Sequence, residues 1–196
     1  LNALVYVFLL CLAALIILLQ FNKLTIFLGL SSMLLAFTYP FMKRLTYWPQ
    51  LFLGLTFNWG IIMGWTSVTN YISIEPIILY LSAIFWTLGY DTIYGLQDIR
   101  DDEIIGIKST SIKFKNKVKF FVGTCYALCV LFVFVLCFVM EIDKYLLLLS
   151  ALFILTLIYQ VMIFKSGKAE TCLAAFKINN LTGFFIFIFI FSFSFL

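Results

Sequence analysis

The chain has 196 residues, 64% of them hydrophobic and 11% charged, with 24 phenylalanines, a net charge of +4 and a mean hydropathy of +1.13. An ordinary soluble domain is nearer half apolar and a quarter charged, so this composition excludes one and points to a polytopic membrane protein. The absence of histidine excludes a Ser-His-Asp relay, a His-ligated haem and a His-bound zinc, leaving carboxylates, lysines, arginines, tyrosines and asparagines for any chemistry.

Crossing the hydrocarbon takes about 20 apolar residues in a helix. Runs of that kind fall at Leu4–Leu19, Leu24–Phe41, Leu51–Val68, Ile74–Tyr90, Phe120–Met140, Tyr145–Phe164 and Ile178–Phe195. They are continuously apolar, where barrel strands would alternate, and helices satisfy their own backbone groups in lipid. The expected fold is therefore all-α, a single transmembrane bundle over residues 1–196 with seven spans. The chain begins with Leu1 rather than Met, close to the first span, and reads as truncated at its start.

Basic residues in short loops mark the cytoplasmic side, or its matrix equivalent. Lys43 and Arg44 follow the second span, Arg100, Lys108, Lys113, Lys115, Lys117 and Lys119 the fourth, and Lys165, Lys168 and Lys177 the sixth. Only Lys23 and Lys144 fall in the other loops, so 11 of the 13 cations share one side. This alternation supports the span count and assigns the basic residues to the membrane face, with no nucleic acid among the expected partners. Cys11, Cys125, Cys129 and Cys137 lie inside spans without a CxxC pair and read as packing residues. Gly60 and Gly64 form a GxxxG spacing expected to pack helices closely. Tyr39, Tyr47 and Trp48 read as interfacial anchors.

Five of the nine carboxylates lie in "GYDTIYGLQDIRDDEIIGIKSTSI", Gly89 to Ile112. Asp98 and Asp102 follow Asp91 at i+7 and i+11, which on a continuing helix places all three on one face, with Asp101 one position off it. Two carboxylates about 6 Å apart repel by roughly 3 kcal/mol at an effective dielectric near 20, so such a face calls for a cation. All-oxygen ligation suits magnesium, calcium or manganese. The alternative is a solvated loop balanced by Arg100 and the lysines beyond it. Asp91 at membrane depth, where ionisable groups are expensive, favours a site.

The stretch "YDTIYGLQDIRDDEIIGIKST" resembles the second aspartate-rich motif of the UbiA superfamily of membrane prenyltransferases. "YPFMKRLTYWPQLFLG", Tyr39 to Gly54, and "CLAAFKINNLTG", Cys172 to Gly183, are similar to two further signatures of that family, in the same order. The resemblance is closest to its 4-hydroxybenzoate branch. It implies a nine-helix bundle in a bacterial or mitochondrial inner membrane, of which these seven spans are the last. It also implies magnesium-dependent transfer of a polyprenyl group from polyprenyl diphosphate to 4-hydroxybenzoate in ubiquinone biosynthesis, among other enzymes of that pathway.

On the resemblance, Asp98 and Asp102 are the expected magnesium ligands, with Asp91 a third ligand or orienter and Asp101 in reserve. Lys108 would meet the diphosphate, followed by Ser109 and Thr110. Lys43 and Arg44 would meet phosphate or the acceptor carboxylate, and Arg44 can do so as a fork. Tyr90 or Tyr94 would face the allyl cation, at typically 0.5 to 2 kcal/mol. Asn179 and Asn180 would line the cavity or glue helices together. The family's first aspartate motif is absent, so the chain alone is expected to be inactive. The competing readings are a UbiA-type enzyme with another acceptor and a cation-coupled transporter, which would place acidic groups at mid-membrane in several spans.

Overall fold

The computed structural model describes residues 2–195, and among them every regular element is helical. The seven apolar runs become α1 (Asn2–Leu18), α2 (Lys23–Leu45), α3 with α4 (Pro49–Phe57 and Gly60–Thr69), α5 (Ile74–Tyr94), α8 (Val118–Val139), α9 (Lys144–Ile163), and α10 with α11 (Ala169–Lys177 and Asn179–Phe191). Two short helices, α6 (Ile99–Ile105) and α7 (Thr110–Lys113), lie between α5 and α8. By length and composition α2, α3–α4, α5, α8 and α10–α11 can each cross a membrane, while α1 and the apolar part of α9 are shorter.

The third run, which reads as continuous, is broken into α3 and α4 at Asn58, and the seventh, expected from Ile178, is preceded by a further helix, α10, that the apolar run does not include. At the end of α3 the Asn58 side chain donates to Gly54 O (2.9 Å), the carbonyl that also accepts the Asn58 backbone N–H (3.3 Å). The amide also reaches Ala83 O (3.2 Å) and Thr87 Oγ1 (2.8 Å) on α5. A side chain competing inside the i to i−4 ladder is a recognised cause of a break. At Ile178 the backbone N–H tightens onto Ala175 O (3.3 Å), and Asn179 Nδ2 takes up Phe176 O (2.9 Å), so α10 ends and α11 starts anew at Asn179.

The central helix is α5, packed on α8, α3 and α10. Its buried face joins α8 and α9 in a core that includes Ile93, Val122, Cys129, Phe153 and Phe164. Cys125, Cys129, Cys137 and Cys172 are buried small groups as expected, whereas Cys11 is exposed. On the other flank Asn22 caps α2 at Thr25 N (2.9 Å) and donates to Thr66 O (2.6 Å), while Thr25 and Thr66 bond through their hydroxyls (3.0 Å). These contacts tie α2 to α4 where apolar packing alone has no preferred register.

The GxxxG expectation is corrected. A Cβ at Gly60 or Gly64 would meet nothing, because both open onto a cavity of about 480 Å³ beside Trp65, Leu79 and Ile190. Close approach occurs instead at Gly54, where a Cβ would lie 3.2 Å from Ile84 O of α5, and at Gly89, where it would land on the Tyr126 ring of α8. A spacing of four matters only where a partner backbone faces it.

Candidate active site

The aspartates do not sit on one continuing helix. The α5 ladder closes at Gly95, whose N–H bonds to Asp91 O (2.9 Å), and a turn then delivers Asp98 to the N-cap position of α6. The helix is therefore interrupted between Asp91 and Asp102, and the one-face geometry of i+7 and i+11 is replaced by two separate elements, α5 and α6. α6 ends at Gly106, whose φ of +78° lies in the left-handed region that favours glycine.

α2 extends past the expected end of its run, so Lys43 and Arg44 occupy its last turn, where cations complement the helix dipole. Lys43 is the cation that both Asp91 and Asp102 feel. Tyr39, one turn before Lys43, lies within the field of Asp91. It therefore belongs beside the site as well as at the interface. Arg44 is exposed. Partial burial raises the Asp102 carboxyl above the usual range, Lys43 opposes the rise, and the neighbouring charges of Asp98 and Asp101 add to it. Asp98 and Asp101 face a cleft of about 240 Å³ that Gly167 and Ala169 close from the start of α10. Glu103 is set apart by its ion pair with Lys115.

The segment after Gly106 clips onto the end of α2. Lys108 N donates to Lys43 O (2.9 Å), and its ammonium reaches Leu45 O (3.4 Å) beneath the Tyr47 ring (5.8 Å). Lys43 and Lys108 thus converge from opposite parts of the sequence. Ser109 and Thr110 do not join them. Ser109 caps α7 through Ile112 N (3.2 Å), and the fully buried Thr110 shares a hydroxyl hydrogen bond with Thr92 (2.6 Å) and donates its N–H to Gln50 Oε1 (3.0 Å). Their polar atoms anchor the loop, which corrects their expected place against the diphosphate. Gln50, unremarked in the sequence, is the α3 end of that anchor, and Ser111 completes it by donating to Thr92 O (2.8 Å).

One turn deeper along α5 a pocket of about 270 Å³ gathers Tyr90, Asn179 and Asn180 with Phe57, Asn58, Trp86, Phe176 and Lys177. Tyr90 meets Trp86 and Phe176 edge-on at 5.8 and 5.9 Å, so its ring is held from both sides. Tyr94 lies outside the pocket, 42% exposed, and leans on Phe176 at 4.7 Å. Asn179 Oδ1 accepts from Trp86 Nε1 (3.0 Å) and from Gln160 Nε2 (3.2 Å), and Gln160 Oε1 accepts from Tyr126 (2.6 Å). Asn180 is exposed to the pocket mouth. Lys177 and Gln160 are the residues the sequence concealed: Lys177 reads as a loop cation, and nothing in the apolar run marks Gln160 out.

Residues 1–191 match the UbiA prenyltransferase family. The chain belongs to the UbiA prenyltransferase family. Its curated relatives include the mitochondrial 4-hydroxybenzoate polyprenyltransferases of Arabidopsis thaliana, 56% identical over 106 residues, and Homo sapiens, 52% identical over 109. These alignments cover 53% and 54% of the chain but only 26% and 29% of the two relatives, so the chain matches little more than a quarter of their length. Among solved structures, the apo form of a UbiA homologue from Aeropyrum pernix K1 superposes with a TM-score of 0.69 at 21% identity. That superposition covers 90% of the chain and 66% of the homologue, and it shows that the broken, all-helical bundle is the UbiA fold.

As to a divalent cation, no three Asp, Glu, Cys or His side chains among the described residues gather closely enough to hold one alone. Magnesium is usually held by one or two carboxylates together with substrate phosphates. A pair such as Asp98 and Asp102, with Lys43 acting on Asp102, fits that requirement in donor chemistry.

Proposed function

We propose that this UbiA-family chain carries the carboxylate and acceptor half of a 4-hydroxybenzoate polyprenyltransferase site in a mitochondrial or bacterial inner membrane. It would join a polyprenyl group from polyprenyl diphosphate to the acceptor ring, within ubiquinone biosynthesis. The observation that carries the reading is the adjacency of two environments on α5. Tyr90 faces an aromatic pocket, and the next residue, Asp91, lies within the field of Lys43 at the charged end of the bundle.

In such a transfer the allylic carbon to oxygen bond breaks and diphosphate departs with the electron pair. A carbon to carbon bond forms to the ring, and the ring proton is lost. Asp98 and Asp102, with Asp91 and Asp101 nearby, would hold magnesium, which when bound neutralises charge on the diphosphate. Lys43 and Lys108 add fixed positive charge where the leaving group gathers its own, the kind of preorganised electrostatics that usually dominates catalysis. The pocket walls of Trp86, Tyr90 and Phe176 exclude water and present π faces to the cationic carbon. Lys177 and the amides at the pocket give the acceptor carboxylate its partners.

The test is transfer of a labelled polyprenyl group to 4-hydroxybenzoate in membranes, with and without magnesium. It is run on the chain alone and on the chain joined to the N-terminal portion of the Arabidopsis relative. Product that requires magnesium and disappears with Asp102→Ala supports the reading. Product insensitive to both, or no product from either form, would sink it.

A further inference from the structure

A hydrogen-bonded chain crosses the bundle behind the pocket, linking α8, α9, α11 and α5 through Tyr126, Gln160, Asn179 and Trp86. Gln160 and Thr182 are fully buried and Tyr126 is 4% exposed, so these groups find partners within the protein. The polarity of the chain follows from one atom. An indole N–H only donates, so the Asn179 atom 3.0 Å from Trp86 Nε1 has to be the amide oxygen. The Gln160 atom 3.2 Å from that oxygen is then its NH2, which also donates to Thr182 Oγ1 (2.9 Å). The Gln160 oxygen is left to accept from the Tyr126 hydroxyl (2.6 Å).

Asn179 has two acceptor positions and two N–H groups. Trp86 and Gln160 fill the first pair, and Phe176 O takes one N–H at 2.9 Å. One N–H remains, on a residue that lines the pocket. We propose that Gln160, held by Tyr126, is a positioning residue that works with Trp86, as the second of two donors to the same oxygen, to lock Asn179 so that the pocket meets an amide N–H and not an amide oxygen. The pocket is thereby selective for an aromatic acceptor carrying an acceptor group, such as a carboxylate, over one whose polar group donates.

This rests on the acceptor-pocket reading above, and one experiment separates the two. Binding of 4-hydroxybenzoate and of 4-hydroxybenzylamine, whose ammonium only donates, to the purified full chain is measured by titration calorimetry. The wild type is expected to prefer the acid, and Gln160→Met to lower the acid-to-amine affinity ratio by about tenfold, or about 1.4 kcal/mol. A purely structural role for Gln160 would weaken both ligands alike and leave the ratio unmoved, which would overturn the proposal. If Gln160→Met does not fold, Tyr126→Phe, which deletes one oxygen at the α8 end, is expected to lower the same ratio, and an unchanged ratio there is equally fatal. A wild type that binds neither ligand removes the acceptor-pocket reading itself, and the positioning role with it.

Discussion

Gly89 and Tyr126 offer a sharp test of how α5 and α8 are packed. A Cβ added at Gly89 would lie 2.7 Å from Tyr126 Cδ1 and 3.3 Å from Cζ, inside the range where something must shift. The ring cannot swing away freely, because Tyr126 is 4% exposed and its hydroxyl is held 2.6 Å from Gln160 Oε1. Overpacking of this kind costs about 1–3 kcal/mol. Against it, alanine is the better helix former by about 0.8–1 kcal/mol, so the net loss in Gly89→Ala alone is smaller than the clash. A double-mutant cycle with Tyr126→Leu removes that ambiguity, since the propensity gain is present in both backgrounds and cancels. Equilibrium unfolding in mixed micelles should give a coupling of about 1–3 kcal/mol, with Gly89→Ala neutral or stabilising once the ring is gone. A coupling below about 0.5 kcal/mol, the usual limit for independent sites, would refute the close approach of the two helices.

Other consequences follow from the charged end and its loop. Lys43→Met should lower kcat/KM for polyprenyl diphosphate by about a hundredfold in the membrane transfer assay, the scale of losing one fixed charge stabiliser, and less than threefold would count against its place at the diphosphate. Asp102→Asn should abolish transfer yet raise stability at neutral pH, measured by thermal unfolding. Because the folded-state carboxyl is raised, its stabilising contribution is complete below the unfolded pKa and is lost as pH rises through the folded one, so the gain should shrink towards acid pH. Thr110→Val should cost about 1–3 kcal/mol of stability by stranding its buried partners while leaving acceptor affinity unchanged. A selective loss of diphosphate binding in a fully folded Thr110→Val protein would return that hydroxyl to the site.

Much of this molecule is legible without coordinates because lipid imposes few solutions. Continuous apolar runs have to become helices, and loops rich in Lys and Arg separate them in alternation. The aspartate-rich stretch stands out as a candidate site for the same reason: charge is costly beside hydrocarbon. Periodicity failed at Asp91 to Asp102, because a helix that stops at Gly95 has no i+7 face to present. It failed again at Gly60 and Gly64, whose spacing is a property of one helix while close packing needs two. Ser109 and Thr110 look like phosphate ligands by residue type, but Thr110 is buried against Gln50 and Thr92 and Ser109 caps α7 at Ile112, so both serve as scaffold.

What the sequence by itself determined is the class of molecule: a helical membrane bundle with acidic chemistry concentrated at one end, in the pattern of the UbiA family. The tertiary structure alone decided which groups meet. Lys43 and Lys108 are 65 positions apart and join through one backbone hydrogen bond, and Asn179 takes its orientation from Trp86 and Gln160, 93 and 19 positions away. Hydropathy is additive along the chain and can be read residue by residue. A site depends on which side chains share a cavity, and that follows from where helices break and cross.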